Sequence, residues 1–256
     1  AAAPGVFFVF RDELKRQEYL ARRYRRRRSA PKITKSERLF EEHRELAEDL
    51  MDFITDHGRL PSEWEFERFA DIGDAFGSIK RAFAVIRRIT GQDQWAVIRE
   101  DRMGELLMQF ALQRFTKRPR FSELPRDIQL DVREFFSSYE NACEQADKLL
   151  FQAGDMDAID SAMIASPVGK RTGNALYVHV DALHELPLLL RVYEGCAKAY
   201  IGDIVEANIL KLHRQSPRVS YLQYPEFDTD PHPALTESFL VKMGGLRVSY
   251  RSYHDS

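Results

Sequence analysis

The chain has 256 residues, 44% hydrophobic, 30% charged and 11% aromatic, enough to bury the core of one large domain or two smaller ones. Thirty-eight lysines and arginines against 40 acids leave a formal charge of −2, which by itself points to neither nucleic acid nor a membrane surface. Cys143 and Cys196 form no CxxC pair, which argues against a disulfide scaffold or zinc knuckle and fits a reducing cytoplasm.

The opening Val6–Phe10 is apolar on both faces and reads as a short buried strand with no sheet partner close behind it. It is expected to be the last strand of a preceding domain outside this sequence, spanning 1–11. No basic-then-apolar leader opens the chain, and runs such as Leu186–Leu190 are too short to span a bilayer, so neither export nor a membrane partner is expected. A helix is predicted from Asp12 to Arg28, ending in the basic run Arg22–Arg28 and broken by Pro31. A second, 36–57, stops at Gly58, and a short helix opens at Pro61 and carries Trp64, Phe66 and Phe69. Ser78 caps a helix to Thr90, with Ile79, Ala82, Phe83, Ile86 and Ile89 on its buried stripe.

Further helices are predicted over 92–115, 126–153 and 155–165. The proline-bearing connector Lys117–Phe121 makes 12–116 a helical region and 117–166 a helical connector. Past Pro167 the pattern changes to a mixed α+β unit over 167–256, with strands at 174–179, 208–212 and 219–224 and a helix at 181–200. A hairpin, 239–243 and 246–250, turns at Gly244-Gly245. The fold class is α+β, mostly helical. No repeat period is apparent.

The near-zero charge is a cancellation between blocks. Residues 11–38 hold twelve basic residues against four acids; 39–75 hold three against twelve; 78–90 hold Lys80, Arg81, Arg87 and Arg88 and no acid. A short helix, a glycine turn and a basic amphipathic helix make the layout of a helix-turn-helix reader of duplex DNA, with Ser78 at the N-terminus facing phosphate. A solvated face of a bundle helix would carry the same residues. Arg25, Arg26, Arg27 and Arg28 would either track phosphates or neutralise the acidic helix Glu41–Asp52.

Catalytic signatures are sparse. There is no GxG, P-loop, GxSxG or HExxH, and no Asp/Asn-Pro-Pro-aromatic loop. His179, His213, Asp228, Asp230 and His232 are the low-ranking catalytic or metal candidates, because imidazole and carboxylate together bind divalent ions or move protons. Their spacing matches no metal motif, so no metal is assigned; Asp228 and Asp230 also suit turns, and His179 suits a packed strand position. Asp181 reads as the N-cap of the helix that follows.

Two resemblances follow. The stretch Gly58-Arg59-Leu60-Pro61 through Phe76-Gly77-Ser78 and its helix, about thirty residues, resembles the homing-endonuclease-associated repeat, a small DNA-binding module. Segments along the chain are similar to the DNA phosphorothioation-associated methyltransferases of bacteria. They include Pro4–Glu13, Phe40–Leu46, Phe76–Phe83, Pro119–Pro125, Ala175–His179, Leu190–Cys196, Lys211–Arg214, Val219–Leu222 and Phe227–Leu235. That resemblance implies an S-adenosylmethionine domain before Ala1, with the cofactor bound only there and none in this chain. Methyl transfer is therefore carried onto no residue here. It further implies a cytoplasmic bacterial protein whose partners are double-stranded DNA and proteins of a phosphorothioation system. The chain would be its DNA-binding, target-recognition portion. The alternatives are a metal-dependent nuclease or hydrolase centred on the C-terminal His/Asp cluster, and a protein-interaction scaffold of a DNA-modification defence complex.

Overall fold

The computed structural model describes residues 9–24, 34–202, 204 and 206–253. It is a mostly helical α+β fold in which a helical N-terminal region precedes a six-stranded antiparallel sheet. Residues 6–8 of the expected first strand lie outside the described residues, and Val9 and Phe10 are in no strand; the Phe10 ring lies 5.1 Å from that of Tyr19. Helix α1 (Glu13–Tyr24) follows, with Asp12 Oδ1 accepting from Leu14 N.

The predicted helix 36–57 is two helices, α2 (Lys35–Glu42) and α3 (Arg44–His57), divided at His43. Thr34 and Glu37 form a reciprocal capping box that sets the start of α2. Residues 61–68 are turns rather than the expected short helix. The Glu65 carboxylate accepts from both Ser62 N and Ser62 Oγ, so it holds a local turn. Helix α4 runs instead over Phe69–Phe76, α5 over Ile79–Thr90 and α6 over Asp93–Leu112. The predicted helix 126–153 is also divided, into α7 (Arg126–Phe136) and α8 (Tyr139–Gln152). Ser137 takes φ 65°, and Ser138 caps α8 through its bond from Asn141 N.

After α9 (Met156–Ala165) come β1 (Lys170–Arg171) and β2 (Ala175–His179). A 3-10 segment, Val180–Glu185, then leads to α10 (Leu188–Ile201), where one helix from Asp181 was expected. Pro187 disfavours a helical Leu186 before it, so the chain is extended at both residues and α10 begins after them. Asp181 is accordingly no cap of α10; it lies in the first turn of the 3-10 segment. Strands β3 (Ile209–His213), β4 (Arg218–Gln223), β5 (Glu237–Lys242) and β6 (Arg247–Ser252) complete a sheet whose order follows the chain.

Two cores result. The first joins Leu50, Ile54, Ile72, Phe76, Ile79, Ala82 and Ile86 from α3, α4 and α5. The second joins Leu106, Phe110, Val132 and Phe136 to one face of the sheet, including Leu176, Leu210, Val219 and Val241, so residues 117–166 share a core with the strands. Helix α6 belongs to both: Trp95 packs in the first core and Leu106 in the second. Each fully buried aliphatic side chain contributes about 1.5–3 kcal/mol.

The structure also shows a repetition that no sequence period announces. Helices α4 and α5 join through Gly77-Ser78; α7 and α8 join through Ser137-Ser138, sixty positions later. The first residue of each pair has positive φ and the second caps the following helix through the backbone N–H three residues on. Buried Ile72, Phe76 and Ala82 correspond to buried Val132, Phe136 and Ala142.

Candidate nucleic-acid interface

Helix α5 is positioned by local chemistry at its start and by apolar spacing along its length. Gly77 ends α4 at φ 84°, and a Cβ there would stand 2.7 Å from Nη1 of Arg81. Ser78 then accepts from Arg81 N at 3.2 Å. Ile79, Ala82 and Ile86 face the first core, while Val85 packs at its margin; Ile89, expected on the buried stripe, is exposed.

At 100° per residue, Lys80, Arg81, Ala84, Arg87 and Arg88 fall within an arc of about 120° opposite the buried stripe. Lys80, Arg81 and Arg88 are exposed. Arg88 donates to Ser36 Oγ at 3.2 Å, and Arg87 lies 5.0 Å over the Phe83 ring, with its Nε buried and without a hydrogen-bond partner. Among the described residues none of the four forms an ion pair with a carboxylate. Elsewhere in the fold, Arg44, Arg59, Arg68, Arg102, Arg118 and Arg214 all do. The acidic stretch is answered from within: Arg68 pairs with Glu45 and Asp49. Arg25, Arg26, Arg27 and Arg28 lie outside the described residues.

The second unit serves as an internal comparison. Sixty positions on from the basic residues and Ala84, α8 carries Glu140, Asn141, Glu144, Asp147 and Lys148. Asp147 pairs with Arg118 at 2.7 Å, and Glu144 with Lys148 at 2.8 Å. The same scaffold therefore presents unpaired cations once and a largely self-neutralised acidic face the second time.

Arg59, the arginine of the Gly-Arg-x-Pro stretch, is not at this surface. Its side chain is 3% exposed and donates to Asp131 Oδ1 at 2.6 Å, to Glu65 Oε1 at 2.6 Å and to Glu65 Oε2 at 2.9 Å. Arg102 donates twice to the other oxygen of Asp131. Burial opposes ionisation of Glu65, yet the hydrogen bonds from Arg59 and Ser62 outweigh it and hold its carboxyl at about 2. This node ties the first helical unit to α6 and α7.

The five C-terminal candidates do not converge. His179 and His232 line a cleft of about 880 Å³ with Lys170, Tyr177, Tyr224 and Phe227. The Phe227 ring tilts against that of His179 at 5.3 Å, and Asp181 Oδ2 lies 3.4 Å from His179 Nδ1. Asp228 and Asp230 stand exposed on the loop above, where Asp230 Oδ1 accepts from His232 N at 2.7 Å and so acts as a turn residue. His213 is elsewhere. It sits opposite Ala175, whereas His179 sits opposite Ile209, four residues along the strands or about 13 Å away. His213 Nε2 lies 3.0 Å from Ser220 Oγ; burial first, then Lys211 and Arg218, push its pKa down to about 4.

Among the described residues, no three His, Cys, Asp or Glu side chains are placed to hold a metal ion. Tyr224 and Phe227, which close the cleft, are not among the residues singled out from the sequence; their one signal is the Tyr-Pro-Glu-Phe run just before the Asp-Thr-Asp-Pro-His-Pro loop. Among the described residues, no helix is long and apolar enough to cross a membrane. Comparison with known protein families, with curated proteins and with solved structures gave no match.

Proposed function

We propose that this chain binds duplex DNA through α5, with Lys80, Arg81, Arg87 and Arg88 meeting phosphates or major-groove base edges and the Ser78-capped N-terminus turned toward the backbone. The observation that carries the reading is the absence of carboxylate partners, among the described residues, for four cations on one helix face. A face that merely kept the bundle soluble would be expected to mix signs, as α8 does. Arg25–Arg28 would add sequence-independent attraction. The resemblance of its segments to the phosphorothioation-associated methyltransferases extends the proposal. In the bacterial cytoplasm the chain would present a DNA target to an S-adenosylmethionine-dependent domain preceding it, alongside proteins of a phosphorothioation system.

The test is fluorescence anisotropy on a labelled duplex of about two helical turns across a salt series. Replacing Lys80, Arg81, Arg87 and Arg88 together by alanine should weaken binding at least about tenfold at low salt. The slope of log affinity against log salt should fall by up to about 3–4, at about 0.9 for each phosphate no longer neutralised. An unchanged slope overturns the reading.

A further inference from the structure

The core occupies one face of the sheet, and strand register determines what stands on the other. Residues paired across antiparallel strands share a face, so Lys170, Tyr177, Lys211 and Ser220 form one cross-strand row. Arg218, Lys242 and Arg247 form a second, beside His213, and Arg251 lies in a third with Ser238. The face thus carries six cations, and its strand positions carry no carboxylate. None of the six forms an ion pair with a carboxylate among the described residues. Arg218 stands directly opposite Lys242, and Lys242 opposite Arg247; like charges so placed repel and destabilise a sheet. An anion laid across them would turn that cost into attraction. Burial is the main cause of the low pKa of His213, and Lys211 and Arg218 on this face lower it further.

The rest of this face is apolar at Ile209, Leu222 and Leu240, and aromatic side chains stand at its β2 edge. Tyr177 lies beneath Lys211, whose Nζ is 5.2 Å from the ring centre, and Tyr224 and Phe227 wall the cleft, with Ile209 in its lining. Gly169 makes the cleft's edge possible: at φ 93° it passes so close to β2 that a Cβ would stand 2.6 Å from the Tyr177 carbonyl oxygen. A cleft of about 880 Å³ has the capacity of a nucleotide-sized ligand. Among the described residues that line the cleft there is no carboxylate; Asp181 lies beside His179, and Glu226, Asp228 and Asp230 stand exposed on the loop that carries Phe227.

We infer that this sheet face binds single-stranded nucleic acid, with an unpaired base seated among Tyr177, His179, Tyr224 and Phe227 and the phosphates following Lys170, Lys211 and the Arg218–Lys242–Arg247 row. Exposed bases need π-surfaces and phosphates need cations, and a duplex offers only the second of these to a flat sheet. Five interstrand spacings make the face about 24 Å wide, room for a strand of about four nucleotides. The inference is independent of duplex binding by α5, since the two surfaces share no residue.

The experiment titrates the full chain with labelled mixed-sequence single strands of about twelve nucleotides, as DNA and as RNA, and adds inorganic polyphosphate as a base-free competitor. Replacing exposed Arg218, Arg247 and Arg251 by glutamine should weaken strand binding about tenfold or more and lower the salt slope by about 2. Phe227→Leu, at a side chain already 40% exposed and therefore safe for folding, should weaken it about fivefold or more while leaving competition by polyphosphate unchanged. Tighter binding of DNA or of RNA supports the inference and identifies the source of the strand. Three results overturn it: no saturable binding of either strand, equal effects of Phe227→Leu on strand and polyphosphate, or loss of strand binding in the variant lacking the four α5 cations. The last would place all nucleic-acid contact on α5, whereas failure of duplex binding alone would leave the sheet face intact.

Discussion

Arg59→Met removes a guanidinium from the node with Glu65 and Asp131 while keeping a long apolar side chain in its place. Side chains of Glu65 and Asp131 are 5% and 0% exposed, so the two carboxylates cannot recover hydration; Glu65 keeps only Ser62 and Asp131 keeps only Arg102. Breaking a buried pair on one side costs about 3–5 kcal/mol. The Glu65 carboxyl is held at about 2 against an ordinary 4.5; burial raises it and the hydrogen bonds from Arg59 and Ser62 together lower it, so this shift fixes the sign and pH window of the effect and not its size.

The sign of the pH dependence follows from the lowered pKa. This contribution is complete above pH 4.5 and is lost as pH falls toward 2, because the unfolded chain takes up the proton first. Urea unfolding followed by circular dichroism should therefore show the variant about 3–5 kcal/mol less stable at pH 7. At pH 3, below the unfolded pKa of Glu65 and approaching the folded one, the difference should be clearly smaller. A loss below about 1 kcal/mol at pH 7, or an equal loss at both pH values, refutes the account of Arg59 as a buried tie between the helical units.

Gly77→Ala forces an L-residue to φ 84° and its Cβ against Arg81, and should lower stability by about 1 kcal/mol or more, read as a drop in Tm. Ser78→Ala removes the cap of α5 and should cost about 1 kcal/mol; an unchanged Tm would mean that the cap is replaced by water without loss. Ser137→Gly relieves a positive φ between α7 and α8 and should raise stability by up to about 1 kcal/mol in chemical denaturation. His213 titrates at about 4 when folded and near 6.5 when unfolded, so it lowers stability as pH falls from 6.5 to 4; His213→Asn should flatten that limb of a stability-versus-pH curve, and a limb left unaltered would count against its buried, neutral state.

Helix α5, its cap and its basic face were all legible in the sequence. Their causes are local: a serine three residues before the N–H it accepts from, a glycine ahead of it, and apolar residues at helical spacing. The strands β2 to β6 announced themselves similarly, and the mostly helical α+β class followed from the two patterns together. Helix divisions at His43 and Ser137 were not legible, because the apolar stripe continues across each break. The repetition of α4–α5 in α7–α8 was hidden because the resemblance holds at core and turn positions, while on the surface Lys80 and Arg87 correspond to Glu140 and Asp147.

By itself the sequence determined where a capped, acid-free basic helix must form, since everything that makes it lies within one turn of Ser78 or along one helical face. Tertiary structure alone decided the rest of the site. It buried Arg59 against Asp131, 72 positions away, and set His179 and His213 at opposite ends of a strand pair. It also gathered Lys170, Lys211, Arg218, Lys242, Arg247 and Arg251 onto one sheet face. Those six are spread over some eighty residues, and only hydrogen-bond register, which alternates sides at every residue, brings them into adjacent rows.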